Sequence, residues 1–299
     1  MSLTLVGSIA LDTVIAPAGK VEDVLGGTAV YASIAASHFI PPQVVGVIGD
    51  DFPGSGRELL LKHGVDLTGV QQEAGKTFRW GGEYAENFND RTTLFTELNV
   101  FEHFKPELPH AYRQTDTLFL GNIHPALQSH VLDQTMGKPF VGMDTMNLWI
   151  NTALEELKQL IKRVDLIMVN DEESLMLTGE RHYGKAAKAL MAMGPEWIII
   201  KKGSHGALLF HKDRIFLAPG LILEEIIDPT GAGDSFGGGL MGALAAAGEI
   251  NFETMRRAVI QGSVMASFCV EGFSVNAMSD LKQEDLEARY QQFVEFVKF

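Results

Sequence analysis

The stretch Asp228-Pro229-Thr230-Gly231-Ala232-Gly233-Asp234-Ser235-Phe236-Gly237-Gly238 follows an apolar pair, Ile226-Ile227, and leads into a helical pattern that runs to Ala247. Gly231 and Gly233 permit close backbone approach and unusual dihedrals. The N–H groups of residues 231 to 234 then point out of a helix N-terminus. With the helix dipole behind them they form a nest for an anion. Asp234 falls in the first turn of that helix and reads in two ways. It is a helix N-cap or dipole partner. Alternatively, it accepts a proton from an attacking hydroxyl while the nest neutralises the group in transfer. Spacing alone leaves both open.

Upstream, short apolar runs alternate with longer helical patterns. Strands are expected at Leu3 to Ser8, Gln43 to Ile48, Thr117 to Leu120, Phe140 to Met143, Leu166 to Val169 and Trp197 to Lys201. Helices are expected at Thr28 to Phe39, Gly54 to Lys62, Pro125 to Thr135, Thr152 to Arg163, Glu172 to Leu177 and Tyr183 to Met193. This alternation predicts an α/β fold, a parallel sheet with helices on both faces. The continuous apolar strands agree, because such a sheet has no polar side. Downstream, a hairpin is expected around His211 to Arg214, then helices at Gly233 to Ala247, Glu253 to Phe268 and from about Lys282 onward.

Two segments break the rhythm. Asp12 to Leu25 alternates around a turn at Pro17. Asp66 to Val100 carries strand-like runs at Thr77 to Tyr84 and Arg91 to Leu98, separated by turn residues at Glu86 to Asp90. Together they are expected to form a small sheet outside the main one, either a lid over a site or an ordinary surface hairpin.

Composition narrows the function. The 299 residues carry 24 basic and 38 acidic side chains, a formal charge of −14, with 46% hydrophobic residues. A chain of this size buries a full core without staples. The charge argues against nucleic-acid binding but not against a small phosphate held by backbone N–H groups. No apolar run approaches the roughly 20 residues of a membrane span. Met1 to Val6 reads as a first buried strand and not as a signal peptide. With Cys269 the lone cysteine, the expected location is a reducing one, the cytoplasm.

The quoted motif, Asp228 through Phe236, closely resembles the C-terminal motif of the PfkB carbohydrate kinases, the ribokinase-like family. Gly26-Gly27-Thr28-Ala29 is similar to that family's Gly-Gly element, and Gly7 with Asp12 to its first strand and substrate-binding Asp. Asn170-Asp171-Glu172-Glu173 is similar to its Asn-x-x-Glu element. The matches stand in the family's order and cover almost the whole chain. The resemblance implies one ribokinase-like domain over residues 1–299. It would be a three-layer α/β/α fold with a mostly parallel sheet and a small β-sheet lid from segments of about 12–25 and 66–100. It also implies ATP-dependent phosphorylation of a hydroxymethyl group. Asp234 would be the base, and the backbone of Gly231, Ala232 and Gly233 the anion hole for the γ-phosphoryl. Asn170 and Glu173 would organise Mg²⁺, through water, and the nucleotide phosphates. Mg²⁺ keeps several waters, so one nearby carboxylate is enough.

Further nucleotide contacts follow from the same resemblance. Lys202-Gly203-Ser204-His205-Gly206 resembles the family's nucleotide-contacting loop, giving Lys202, Gly203, Ser204 and Gly206 to ATP together with Thr230. The adenine wall would come from Val264, Ala266, Ser267 and Val270, each of which also reads as core. Asp228 and Thr230, with Glu271 to Ser274, occupy the region where several members bind a monovalent cation, and K⁺ is left open.

At the acceptor end, Asp12 would hydrogen-bond two hydroxyls while Gly26 and Gly27 let the substrate lie against backbone. Tyr31 stands where ribokinases carry a sugar-reading Asn, a departure that puts ribose itself in question. Asn122 falls where the family often places a polar substrate contact, and Asp144 and Asn147 would line the cleft mouth. In the small sheet Arg79 alternates with Phe78 and Trp80, so the two kinds of side chain face opposite ways. Aromatics facing the site would stack a nucleobase, and Arg79 facing it would favour a polyhydroxylated or anionic substrate. Aromatics turned outward would suit a homodimer through the lid. The leading expectation is a sugar or polyol kinase. The alternatives are a nucleoside kinase of the same fold and a catalytically silent nucleotide sensor. A dinucleotide oxidoreductase is discounted, because no Gly-x-Gly-x-x-Gly follows the first strand.

Overall fold

The apolar runs pair edge to edge into one nine-stranded sheet. The computed structural model describes residues 1–88 and 91–298, so Asn89 and Asp90 of the expected turn lie outside the described residues. In chain order the strands are β1 (Leu3–Val6), β2 (Ala10–Ala16), β3 (Gly19–Gly26), β4 (Gln43–Ile48), β5 (Asp66–Gln72), β6 (Phe78–Tyr84), β7 (Arg91–Glu97), β8 (Thr117–Leu120), β9 (Phe140–Asp144), β10 (Leu166–Asn170), β11 (Trp197–Lys201), β12 (Ala207–His211) and β13 (Arg214–Ala218). The helices are α1 (Thr28–Ser37), α2 (Gly54–Lys62), α3 (Pro125–Asp133), α4 (Asn147–Thr152), α5 (Leu154–Ile161), α6 (Asp171–Thr178), α7 (Tyr183–Met193), α8 (Ala232–Ala247), α9 (Phe252–Cys269), α10 (Asn276–Ser279) and α11 (Gln283–Phe296). The helix expected from Thr152 to Arg163 is instead two, because Ala153 leaves the helical region at φ −141°, ψ 39° between α4 and α5.

The large sheet has the order β13-β12-β11-β10-β9-β8-β1-β4-β5. Every pair from β11 to β5 is parallel, and β12 and β13 add an antiparallel hairpin at one edge. Successive residues feed opposite cores, as strand geometry requires. Trp197 and Ile199 pack with Leu240 of α8 and Val259 of α9. Ile198 and Ile200 pack with Leu157 of α5 and Leu190 of α7. The chain moves from β1 to β4 and β5 on one side, then returns to β8 on the other. The strand order therefore reverses between β1 and β8, and the crevice beyond their C-terminal ends is where open α/β sheets bind ligands.

The second sheet has the order β3-β2-β6-β7, with β2 and β6 parallel and the outer pairs antiparallel. Its first hairpin matches the segment expected around Pro17. The segment expected over 66–100 does not belong to it throughout. Asp66 to Gln72 is β5, paired in parallel with β4 at the edge of the large sheet. Leu67 turns inward there while Asp66 and Thr68 stay exposed, so one face of β5 is covered by the main core. The small sheet is anchored through aromatics: Phe78 stacks on Phe101 at 5.3 Å, and Phe101 on Phe104 at 5.5 Å.

Candidate active site

Four neighbouring strands end at one place. Asn170 closes β10 directly opposite Lys201 at the end of β11, Asp144 closes β9, and Asn122 follows β8. Facing them is the turn into α8. Gly231 is left-handed at φ 77°, and any side chain on it would run into the Tyr31 ring. Glycine is thus required twice over, by conformation and by contact. Asp228 builds the turn, its Oδ1 accepting the Thr230 N–H at 2.8 Å. Ala232 and Gly233, at the start of α8, line the cleft, and the Ala232 N–H is turned back to the Pro229 carbonyl at 3.2 Å.

Asp234 sits in the first turn of α8. Burial and then the neighbouring Asp144 carboxylate push it up to about 6, opposed by the Thr28 hydroxyl hydrogen bond and by Lys201. Asp12 is nearly inaccessible, at 4% exposure. Burial, then Asp234 and Asp228, push it up to about 8, against a hydrogen bond from the Gly27 backbone. A side chain on Gly26 would collide with the Asp12 carboxyl, so Gly26 leaves the space that this group occupies. Asp12 is therefore packed against Gly26 and Gly27, with Asp234 near enough for its charge to act on it.

Register settles which face of the small sheet looks inward. Asp12 pairs with Trp80, and Leu11 with Arg79. Paired residues point the same way, so Trp80 shares the face of Asp12. Arg91 lies over the Trp80 ring at 5.3 Å. Further along β6, Tyr84 accepts a hydrogen bond from the Thr230 hydroxyl at 3.2 Å, which ties the small sheet to the nest. Arg79 is on the other face. Its guanidinium pairs with Asp51 at 2.7 Å and Asp23 at 3.0 Å, which holds it away from the face that carries Asp12.

A cavity of about 580 Å³ opens beside the nest. Gly203, Ser204 and Gly206 line it from one side, and Ala266, Ser267 and Val270 from another. Asn87 and Phe88, at the tip of the small sheet, reach its rim. Two expectations fail here. Val264 is wholly buried in the core beside α8 and does not reach the cavity. Lys202 turns away, with its ammonium 4.9 Å from the centre of the Tyr183 ring. Lys201 lines the cavity instead.

Lys201 is the residue sequence reasoning missed. Its Nζ meets both Asp144 oxygens, at 2.8 and 3.0 Å. Glu173 is close by, pushed up to about 7 by burial, with Lys201 pulling it down and Asp144 pushing it further up. Glu173 and Asn170 also form a capping box on α6: Asn170 Oδ1 accepts the Glu173 N–H at 2.7 Å, and Glu173 Oε2 accepts the Asn170 N–H at 2.8 Å.

Two other expected substrate residues are engaged by neighbouring parts of the chain. Tyr31 is 1% exposed beneath Gly231, because its place in α1 aims it between that helix and α8. It supports the nest and cannot stack on an acceptor. Asn122 receives the Trp149 indole N–H at 2.8 Å and sets its amide nitrogen 3.1 Å from Met146 Sδ, so both ends of its amide are engaged.

A nest for phosphate beside a carboxylate of raised basicity places the chain among α/β phosphotransferases that act on hydroxyl groups. A family model described as pfkB family carbohydrate kinase matches residues 5–282, and the chain belongs to that family. It is 30% identical over 249 residues to a cytidine kinase of Thermococcus kodakarensis, covering 81% of this chain and 87% of that one. The fold matches the nucleoside kinase of Burkholderia thailandensis in complex with inosine, with a TM-score of 0.80 at 18% identity over 98% of this chain and 99% of that one. It also matches aminoimidazole riboside kinase from Salmonella enterica, complexed with aminoimidazole riboside and an ATP analogue, with a TM-score of 0.78 at 20% identity over 97% of this chain and 100% of that one. The ribokinase-like fold expected from the sequence is thereby established. Among the described residues, no helix is long and apolar enough to cross a membrane.

Proposed function

We propose that the chain is an ATP-dependent nucleoside kinase, transferring the γ-phosphoryl group to a primary hydroxyl of the acceptor. The observation that carries the nucleoside reading is the shared face of Asp12 and Trp80. A carboxyl that reads paired hydroxyls beside an indole that offers a stacking surface suits a sugar joined to a base. The cytidine kinase relative and the inosine-bound neighbour support it. A free sugar, the leading expectation from sequence, would use Asp12 but make no use of the Trp80 ring that shares its face.

Asp12 orients the acceptor against Gly26 and Gly27. Asp234 takes the proton of the attacking hydroxyl. With its carboxyl near 6 it is ionised at neutral pH while remaining basic enough to accept. The N–H groups of Gly231 and Gly233, with the Ala232 N–H shared with the Pro229 carbonyl, hold the charge that spreads over the transferring oxygens. Closure of the small sheet, through Asn87, Phe88 and the Tyr84–Thr230 bond, keeps water from competing for the phosphoryl group.

The residues present fit Mg²⁺: Asn170 closes β10 and Glu173 lies in the first turn of α6 within reach of the charges on Lys201 and Asp144, a single-carboxylate donor set that suits an ion retaining most of its water. When bound, Mg²⁺ supplies charge neutralisation on the nucleotide phosphates. Asp228 Oδ2 is buried without a hydrogen-bond partner among the described residues, which fits a monovalent cation such as K⁺ next to Thr230.

A coupled ADP-release assay against nucleosides, sugars and polyols tests the proposal. We expect nucleosides to exceed free ribose by roughly 100-fold or more in kcat/KM, the effect of one lost stacking and burial contact. Preference for a free sugar or polyol would overturn the nucleoside reading. Tight ATP binding with no acceptor turned over would favour the sensor.

A further inference from the structure

We propose that Lys201 is a catalytic residue of this site: its ammonium contacts the phosphoryl group in transit beside Gly233 and supplies the full positive charge that the backbone nest lacks. The inference rests on the phosphoryl-transfer reading above and adds a residue to it.

Strand parity aims Lys201 there. Trp197 and Ile199 face the core under α8, so Lys201, the next residue of the same parity, also faces α8. A side chain built on Gly233 would begin 3.3 Å from Lys201 Nζ, and both residues line the same cavity. Asp144 reaches the spot in the same way. Gly142, two residues earlier on β9, faces Met241 of α8. The Asp144 carboxylate then fixes the ammonium from behind, with side-chain exposures of only 6% for Asp144 and 17% for Lys201. An ammonium carries three N–H donors. Among the described residues only Asp144 accepts from this one, which leaves a donor for the cleft.

Charge shows why such a donor is needed. Asp144, Glu173 and Asp234 converge on this corner, and among the described residues Lys201 is the one cation there. Backbone N–H groups are dipoles, and by themselves they would bring a phosphate toward three carboxylates. In a cleft partly shielded from water a fixed ammonium is worth far more than at the surface. In the step, the bond from the γ-phosphorus to the oxygen of the departing ADP breaks and a bond to the acceptor oxygen forms. The acceptor proton passes to Asp234, and Lys201 keeps its own proton throughout.

The rival explanation is that Lys201 merely neutralises Asp144. Replacing one member of a buried pair orphans the other, whereas replacing both by neutral residues is often tolerated. The test therefore compares Lys201→Met with the double variant Lys201→Met/Asp144→Asn, in the full chain, by melting temperature, steady-state kinetics and calorimetry. The double variant should recover the melting temperature lost by the single one. Its kcat should stay about 10²–10³-fold below wild type, the scale of losing one charge-stabilising donor. By calorimetry it should bind AMP like wild type while losing roughly tenfold or more in affinity for the β,γ-imido analogue of ATP. Recovery of both stability and kcat would overturn the proposal, as would equal affinity for the imido analogue. If the wild-type chain turned over no acceptor, the proposed function would fail alone, and the calorimetry would still decide for or against Lys201.

Discussion

In the proposed site the groups assigned to phosphate are backbone N–H groups, held by a left-handed Gly231 and the start of α8. Those assigned to the acceptor are side chains, Asp12 and Trp80, brought together only by the register of β2 on β6. The first end is specified by a few contiguous residues. The second is specified by which strands happen to pair. One end can therefore stay constant while the other changes substrate, because no residue of the nest belongs to the small sheet. The bridge between them is slender: the Tyr84–Thr230 hydrogen bond and the tip at Asn87 and Phe88.

The largest break in this division should come from Asp234→Asn. The variant keeps the shape of the first turn and removes the proton acceptor. We expect kcat to fall about 10³–10⁴-fold, the upper range for a general base, with affinity for a non-hydrolysable ATP analogue little changed. Isothermal titration beside steady-state kinetics separates the two. A kcat close to wild type would remove Asp234 from the chemistry. In the wild type the same group sets the acid limb of kcat/KM: the rate should decline as pH falls through about 6, where the carboxylate takes up a proton.

The same division explains what was legible in the sequence. The parallel sheet was readable because strands covered on both faces are continuous apolar runs, and Gln43–Ile48, Thr117–Leu120 and Trp197–Lys201 fall where the pattern put them. The nest was readable because its glycines and Asp234 are contiguous. β5 was misplaced because an edge strand covered on one face looks like a strand of any sheet. The choice between Lys201 and Lys202 could not be made locally. Two adjacent lysines at a strand end point to opposite faces, and which face carries α8 is decided by chain elements thirty residues downstream. Trp80 and Arg79 posed the same problem, since only pairing with Asp12 selects between them. Tyr31 was read as a substrate contact because nothing in its neighbourhood announces that Gly231 lies on top of it.

A smaller effect should sharpen the acceptor end. Trp80→Ala should raise KM for a nucleoside about tenfold or more while leaving KM for ATP unchanged, since one base–aromatic stack is worth about 1–3 kcal/mol. Trp80→Phe should restore most of the loss. Arg79→Ala, on the opposite face, removes two partly exposed ion pairs and should change KM for the nucleoside by no more than about twofold. Equal damage from both substitutions would mean that the small sheet acts as a rigid cover and not as a one-sided reader.

The smallest effect is one of stability, and it runs against intuition for a functional carboxyl. Asp12 is buried beside Asp228 and Asp234 and is pushed up to about 8. A carboxyl raised in the folded state favours folding only while it is protonated. Its contribution is complete below the ordinary carboxylate range near pH 4 and is lost as pH rises toward about 8. The wild-type chain without acceptor should therefore lose stability across that window, and Asp12→Asn should not share the loss. At pH 8 the variant should melt several degrees higher than wild type, and near pH 4 the two should coincide. Its KM for the acceptor should rise, because a neutral amide replaces the carboxylate that reads the hydroxyls. A wild-type melting temperature flat from pH 4 to 8 would mean that Asp12 is already ionised when the site is empty. The acceptor would then meet a preformed anion instead of inducing one by donating its hydroxyl protons to it as hydrogen bonds.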